Sequence, residues 1–169
     1  AIGFSYGKYY LPLEYTSSTY MYVKNGDASE EKTAINQQDL MASKSLVETY
    51  IVILKNDTVV KQVGMSLVSK FGVSEISKCF TVKNGVISTS ELKDAISMSA
   101  DGDTEVLKIS AQTKDPHVSA EICDIYAEVA PTFLIRIIGA GSVEVIGDAE
   151  VPQSPSAPDV KKITMMAAA

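Results

Sequence analysis

The residues that could do chemistry are few and scattered. His117 is the only histidine. A histidine-rich metal site or a Ser-His-Asp triad is hard to build from one imidazole. It falls in the first turn of a predicted helix, where the helix dipole disfavours an imidazolium. No carboxylate or nucleophile motif surrounds it, and it reads as a plain surface residue. The two cysteines, Cys79 and Cys123, fit no zinc spacing, which needs close pairs. Either they form a disulfide or both are small buried apolar residues. Asp101-Gly102-Asp103 has the opening of a calcium loop, but the remaining ligand positions do not follow, so a turn is the better reading. Gly139-Ala140-Gly141 follows a helix rather than preceding one. It therefore caps the helix and cannot present N-terminal amides to a phosphate. No nucleophile elbow, P-loop or Rossmann glycine run occurs. The acids Asp115, Glu121, Asp124 and Glu128 on the long helix are the last support for a hydrolase. No catalytic residue, cofactor or metal is implied, and an enzyme is not expected.

The elements that hold these residues belong to an acidic chain of ordinary globular composition. Its 169 residues are 46% hydrophobic and 21% charged, enough for one domain burying roughly two-thirds of its unfolded surface. The net charge of -6 repels nucleic acid at long range, and the nearest thing to a basic patch is the pair Lys161-Lys162. No run of 18 or more apolar residues occurs, so nothing inside the chain is predicted to span a membrane. The ends are nonetheless apolar: Ala1-Ile2-Gly3-Phe4 and Ile163 to Ala169. They read as stubs of flanking transmembrane helices or as residues added for expression. Tyr6, Tyr9 and Tyr10 follow the first stub as an interfacial aromatic belt would. Tyr15, Tyr20 and Tyr22 fit a strand.

Periodicity predicts one α+β domain: a mixed or antiparallel sheet of about four strands packed with helices, a long C-terminal helix and a proline-rich strap. Tyr15 to Val23 is a strand rich in Thr, Tyr and Val. From Gln37 to Lys55, Leu40, Val47, Tyr50, Ile51 and Leu54 form a helical stripe. Asn56-Asp57 breaks and caps. A second helix carries Val60, Val63, Leu67 and Phe71 on one face and stops near Gly72. Residues 73–88 are a short strand or loop with a turn at Asn84-Gly85. Ser88 and Glu91 have the spacing of a capping box ahead of a short helix, Ser90 to Ile96. Asp101-Gly102 predicts a tight hairpin with positive φ at both turn positions. In its second strand Leu107, Ile109 and Ala111 face the core, and Lys108, Ser110 and Gln112 face water. Asp115-Pro116 starts the long helix, with Val118, Ile122, Tyr126, Val129 and Phe133 inward. Pro131 should kink or split it, and Gly139 and Gly141 should close it. The last strand, Ser142 to Val151, alternates from Val143 onward. Pro152, Pro155 and Pro158 then recur every three residues, the period of a stiff polyproline II spacer.

In this order the elements resemble the chain-length-determinant (Wzz-type) family of polysaccharide co-polymerases. The carrying motifs are Thr113-Lys114-Asp115-Pro116-His117-Val118-Ser119-Ala120 and Val151-Pro152-Gln153-Ser154-Pro155-Ser156-Ala157-Pro158. The likeness extends over about residues 1 to 166, and the short helices resemble the Gram-positive capsule tyrosine-kinase adaptor subtype. The resemblance implies a non-catalytic scaffold that regulates capsule or exopolysaccharide chain length and export. It implies a homo-oligomeric ring, a cognate tyrosine kinase and polymerase machinery as partners, and two-pass anchoring in the cell membrane with this domain outside. The contending function is an extracellular glycan-binding module, against which the lack of Trp counts. The implied division is a membrane-proximal stub at 1–14, an extracytoplasmic domain at 15–151, and a strap with the start of a second transmembrane helix at 152–169. The implied motif residues, Asp115, Pro116, Ala120, Pro152, Pro155 and Pro158, are structural.

Overall fold

The computed structural model describes residues 12–24, 37–102, 104–139 and 142–157. In chain order the elements are β1 (Tyr15–Lys24), α1 (Gln37–Leu54), α2 (Asp57–Ile76), β2 (Val82–Lys83), β3 (Val86–Ile87), α3 (Thr89–Ala95), β4 (Ile96–Ala100), β5 (Val106–Thr113), α4 (Pro116–Ile138) and β6 (Ser142–Gly147). Together they make the expected α+β domain. A four-stranded sheet runs in the order β4-β5-β1-β6, and every neighbouring pair in it is antiparallel.

The sheet divides core from water by the two-residue period of its strands. On β1, Ser17, Thr19, Met21 and Val23 are buried, while Thr16, Ser18, Tyr20 and Tyr22 are half-exposed. On β5, Leu107, Ile109 and Ala111 are buried, and Lys108, Ser110 and Gln112 face the other way, as the alternation predicted. Helix α4 lies across the inner face of β1 and β5, and α1 and α2 pack beside it. The core they enclose includes Val47, Tyr50 and Leu54 of α1, Val60, Val63 and Leu67 of α2, and Ile122, Tyr126 and Leu134 of α4. The Tyr126 hydroxyl donates to the Leu54 carbonyl at 3.2 Å, so its burial leaves no polar atom unmatched.

Local signals set most boundaries. Asn56 caps α2 by accepting from the Thr58 N–H, and Gly72 breaks that helix at φ 82°, ψ 158° before a last turn. Asp115 caps α4 by accepting from the His117 and Val118 N–H groups, with Pro116 in the first turn, and Gly139 ends it in the left-handed region. The 23-residue α4 runs through Pro131 without splitting. Ala130, Phe133 and Leu134 on either side of the proline are buried, so both halves pack into the core.

Four expectations are corrected. The tight turn with positive φ at both positions belongs to Asn84-Gly85 (φ 52° and 75°), closing β2 on β3. At Asp101-Gly102 only Gly102 has positive φ. Thr104 there donates to the Asp101 carbonyl and accepts from the Val106 N–H, which props open a wider loop. Ser88 and Glu91 do not form a capping box. The Ser88 N–H already donates to the Thr81 carbonyl, and the Glu91 carboxylate accepts from the Thr81 N–H at 2.7 Å. Strand β6 ends at Gly147, not Val151. A bulge against Tyr20 and Met21 shifts its register, so Val145 and Ile146 are exposed and the expected alternation fails. The prolines do not make one straight rod: the chain bends at Gln153-Ser154 and returns to β1. The terminal stubs, Tyr6, Tyr9, Tyr10, Asp103, Gly141, Pro158 and Lys161-Lys162 lie outside the described residues.

Candidate functional site

The two motif segments meet at the first residues of β1 from different sides. One is the corner where β5 turns into α4. Ser119, fully buried, donates to the Tyr15 carbonyl at 2.7 Å and accepts from the Thr113 N–H at 3.1 Å. The Thr113 hydroxyl lies 2.8 Å from the Ser119 hydroxyl and donates to the Asp115 carbonyl at 2.7 Å. Asp115 and Pro116 therefore start the helix where a buried hydroxyl pair joins it to two strands. Ala120, next to Ser119, is buried and small enough to let the helix close on the sheet.

The other segment is the strap after β6. The Thr19 hydroxyl donates to the Gly147 carbonyl at 3.0 Å and the Ser17 hydroxyl to the Glu150 carbonyl at 2.7 Å. Asp124 of α4 accepts from the Ala149 N–H at 3.1 Å. The strap then arches through a half-buried Pro152 and an exposed Pro155. It rejoins β1 where Glu14 and Ala157 form an antiparallel bridge, with the Glu14 N–H donating to the Ala157 carbonyl at 2.6 Å and the Ser156 N–H to the Glu14 carbonyl at 2.8 Å. The bridge sets Glu14 and Ala157 side by side.

Two clefts flank this joint. One, of about 290 Å³, opens between Glu14, Cys79, Glu91, Asp94, Gln112 and Lys114. The Gln112 amide donates to Glu14 across it at 2.6 Å, and the Thr81 amide holds the Glu91 carboxyl below the usual carboxylate range. The second, of about 430 Å³, lies between the outer face of β1 and the arch of the strap.

The remaining candidates are spent on structure. His117 is exposed. Of the four helix acids, Asp115 caps, Glu121 pairs with Lys70, Asp124 grips the strap and Glu128 is exposed. Among the described residues no group of His, Cys, Asp and Glu is placed to hold a metal. Both cysteines are free thiols. Cys123 is fully buried, its Sγ 3.4 Å from the Ser17 carbonyl, and burial pushes its pKa up to about 12. Cys79 is half-buried and raised chiefly for the same reason, with the Asp115 charge adding. Sequence reasoning missed Glu14, Ser17 and Thr19, and named Ser119 and Ser156 only as members of the motif runs. The one local hint was a serine inside the apolar stripe of a helix.

These polar groups join both motif segments to the start of β1. A family model described as chain length determinant protein, Wzz, matches residues 1–67. The chain is 28% identical over 166 residues to capsular polysaccharide biosynthesis protein CpsC of Streptococcus pneumoniae, covering 98% of this chain and 65% of that protein. It is 26% identical over 159 residues to probable capsular polysaccharide biosynthesis protein YwqC of Bacillus subtilis, covering 92% and 55%. With capsular polysaccharide biosynthesis protein CapA of Staphylococcus aureus it shares 27% over 143 residues, covering 84% and 56%. Over its first 67 residues the chain is thus similar to the Wzz chain-length-determinant family, and over most of its length to the capsular polysaccharide biosynthesis proteins of these three bacteria. It spans about 55 to 65% of the length of these curated relatives.

Proposed function

We propose that this chain is the extracytoplasmic domain of a two-pass membrane scaffold that regulates the length and export of a capsular or exopolysaccharide, and that it has no catalytic role. The observation that carries the reading is the Glu14–Ala157 bridge. Two membrane helices flanking one domain must leave it at one surface, and this bridge supports such an exit. No helix among the described residues is long and apolar enough to cross a membrane, so in this reading the anchors begin outside the described residues. In this reading residues 1–14 are a membrane-proximal stub, 15–151 the domain, and 152–169 the strap and the mouth of a second membrane helix. Asp115, Pro116 and Ala120 fix the corner. Pro152, Pro155 and Pro158 fix how the domain stands over the membrane.

Function through assembly requires heterologous contacts that close into a ring. The helix pair, residues 37–71, supports this: Val52 of α1 and Met65 of α2 are 72% and 59% exposed, apolar side chains that a neighbouring copy would cover. A cognate cytoplasmic tyrosine kinase and the polymerase machinery are the partners in this scheme. The test has two arms. The full-length protein in lipid should have the mass of a closed oligomer, and Val52→Asp with Met65→Asp should reduce it to monomer. Replacing Pro152, Pro155 and Pro158 together by alanine should leave the domain folded and change polymer length in cells. A monomer in lipid, or unchanged polymer length in the triple variant, counts against the reading.

A further inference from the structure

The cleft between β1 and the strap is chemically unlike the rest of the surface. Along β1 the outward residues Thr16, Ser18 and Tyr20 line its floor. At about 3.3 Å per residue they cover about 13 Å, longer than one sugar ring. The opposite wall is the strap, with Asp148, Glu150, Pro152 and Gln153. The strap is tethered at both ends, by Thr19 and Ser17 on one side and Glu14 on the other. The wall is therefore preformed rather than ordered by a ligand, which lowers the entropic cost of binding.

A pyranose presents one apolar C–H face and a rim of hydroxyls, each both donor and acceptor. A site for it needs a rigid apolar platform beside mixed donors and acceptors. The Tyr20 ring and Pro152 supply the first. For the second, the Thr16 hydroxyl is paired with Ser156 at 2.7 Å and the Ser18 hydroxyl with Ser110 at 2.8 Å. A hydroxyl has one donor and two acceptor positions, so each pair keeps hydrogen-bonding capacity at the lining of the cleft. The Gln153 amide donates once, to the Val151 carbonyl, which leaves its oxygen and a second N–H. Asp148 and Glu150 accept only. They repel a uronate or phosphate at close range, although the Lys108 ammonium stands 5.7 Å from the Tyr20 ring centre.

We infer that this cleft is a glycan-binding subsite for an uncharged oligosaccharide segment, with Tyr20 as stacking platform, Thr16, Ser18 and Gln153 as hydrogen-bonding rim, and Asp148 and Glu150 as a filter against acidic sugars. The source of the ligand rests on the polysaccharide reading above; the chemistry of the cleft does not. The whole chain, isotopically labelled, is titrated by NMR with uncharged hexasaccharides of glucose, galactose and N-acetylglucosamine, and with the galacturonate hexamer. At least one uncharged hexasaccharide should shift the amides of Thr16, Ser18, Tyr20 and Gln153 together. Tyr20→Ala should weaken it about tenfold or more in a chain whose spectrum stays dispersed. Asp148→Asn with Glu150→Gln should admit the galacturonate hexamer that the unaltered chain refuses. Shifts elsewhere, no shifts with any hexasaccharide, or equal binding of the uronate overturns the inference. A chain that binds at the cleft yet leaves polymer length untouched in cells sinks the chain-length reading alone. One that sets polymer length without binding here sinks this inference alone.

Discussion

The inner and outer faces of β1 differ by a single residue step, yet the two are built for different ends. Inward, Ser17 and Thr19 are as buried as Met21 and Val23. Each finds a carbonyl, Thr19 at the end of β6 and Ser17 in the strap, so polar side chains inside the domain act as fasteners. Outward, Thr16, Ser18 and Tyr20 have similar composition but lie against water, bonded to one another's neighbours rather than to the core. A hydroxyl that is sealed off costs its full desolvation if its partner is lost, whereas an exposed one turns to water instead. Residue type alone does not separate fold from recognition here; the side of the sheet does.

That contrast can be broken by substitution. The largest effect is expected on the inner side at Tyr126, which is fully buried. Tyr126→Ala should cost about 3–5 kcal/mol, read as a fall in the urea midpoint. Ser119→Ala comes next, at about 1–3 kcal/mol, because the Tyr15 carbonyl and the Thr113 N–H lose a buried partner. A loss below about 0.5 kcal/mol would show that water reaches the corner. The thiol follows. Cys123 has its pKa raised from 9.0 to about 12, so the stability it contributes is complete below pH 9 and is lost as pH rises toward 12. Between pH 8 and 10 the loss should be on the order of 1 kcal/mol. It should vanish in Cys123→Ala, which subtracts the tyrosines and lysines titrating nearby. In the native chain a thiol reagent should modify Cys79 first and Cys123 only through unfolding. The smallest effect belongs to the outer face: Ser110→Ala should change stability by no more than about 0.5 kcal/mol. A cost there equal to that of Ser119→Ala would erase the distinction between the faces.

How far the sequence revealed this molecule depends on how local each determinant was. The alternation of β5 and the Asp115-Pro116 start of α4 are written in consecutive residues, and both appear as read. Strand β6 misled because its alternation ignores a bulge opposite Tyr20 and Met21. The strap beyond Gly147 is held by hydroxyls from β1, 128 and 133 positions away in the chain. Ser88 and Glu91 had the right spacing for a capping box, but Thr81 had already taken both groups. The joint of the two motifs was invisible for the same reason. Ser119 reaches across 104 positions to Tyr15 and Ser156 across 142 to Glu14. The cleft needs both the strap's bend and the strand it faces, and neither segment indicates it alone.

The Glu14–Ala157 bridge also has a mechanical consequence. Tension pulling apart the segments that precede Glu14 and follow Ala157 falls first on a few backbone hydrogen bonds at an exposed corner. Loaded at one end, such bonds part singly, like a zip. The inner core, anchored through Tyr126 and Ser119, is loaded only after they have parted. The bridge is therefore a fuse: lateral strain between the two outgoing segments would release the arch of the strap, and with it one wall of the cleft, while the rest of the domain stayed folded.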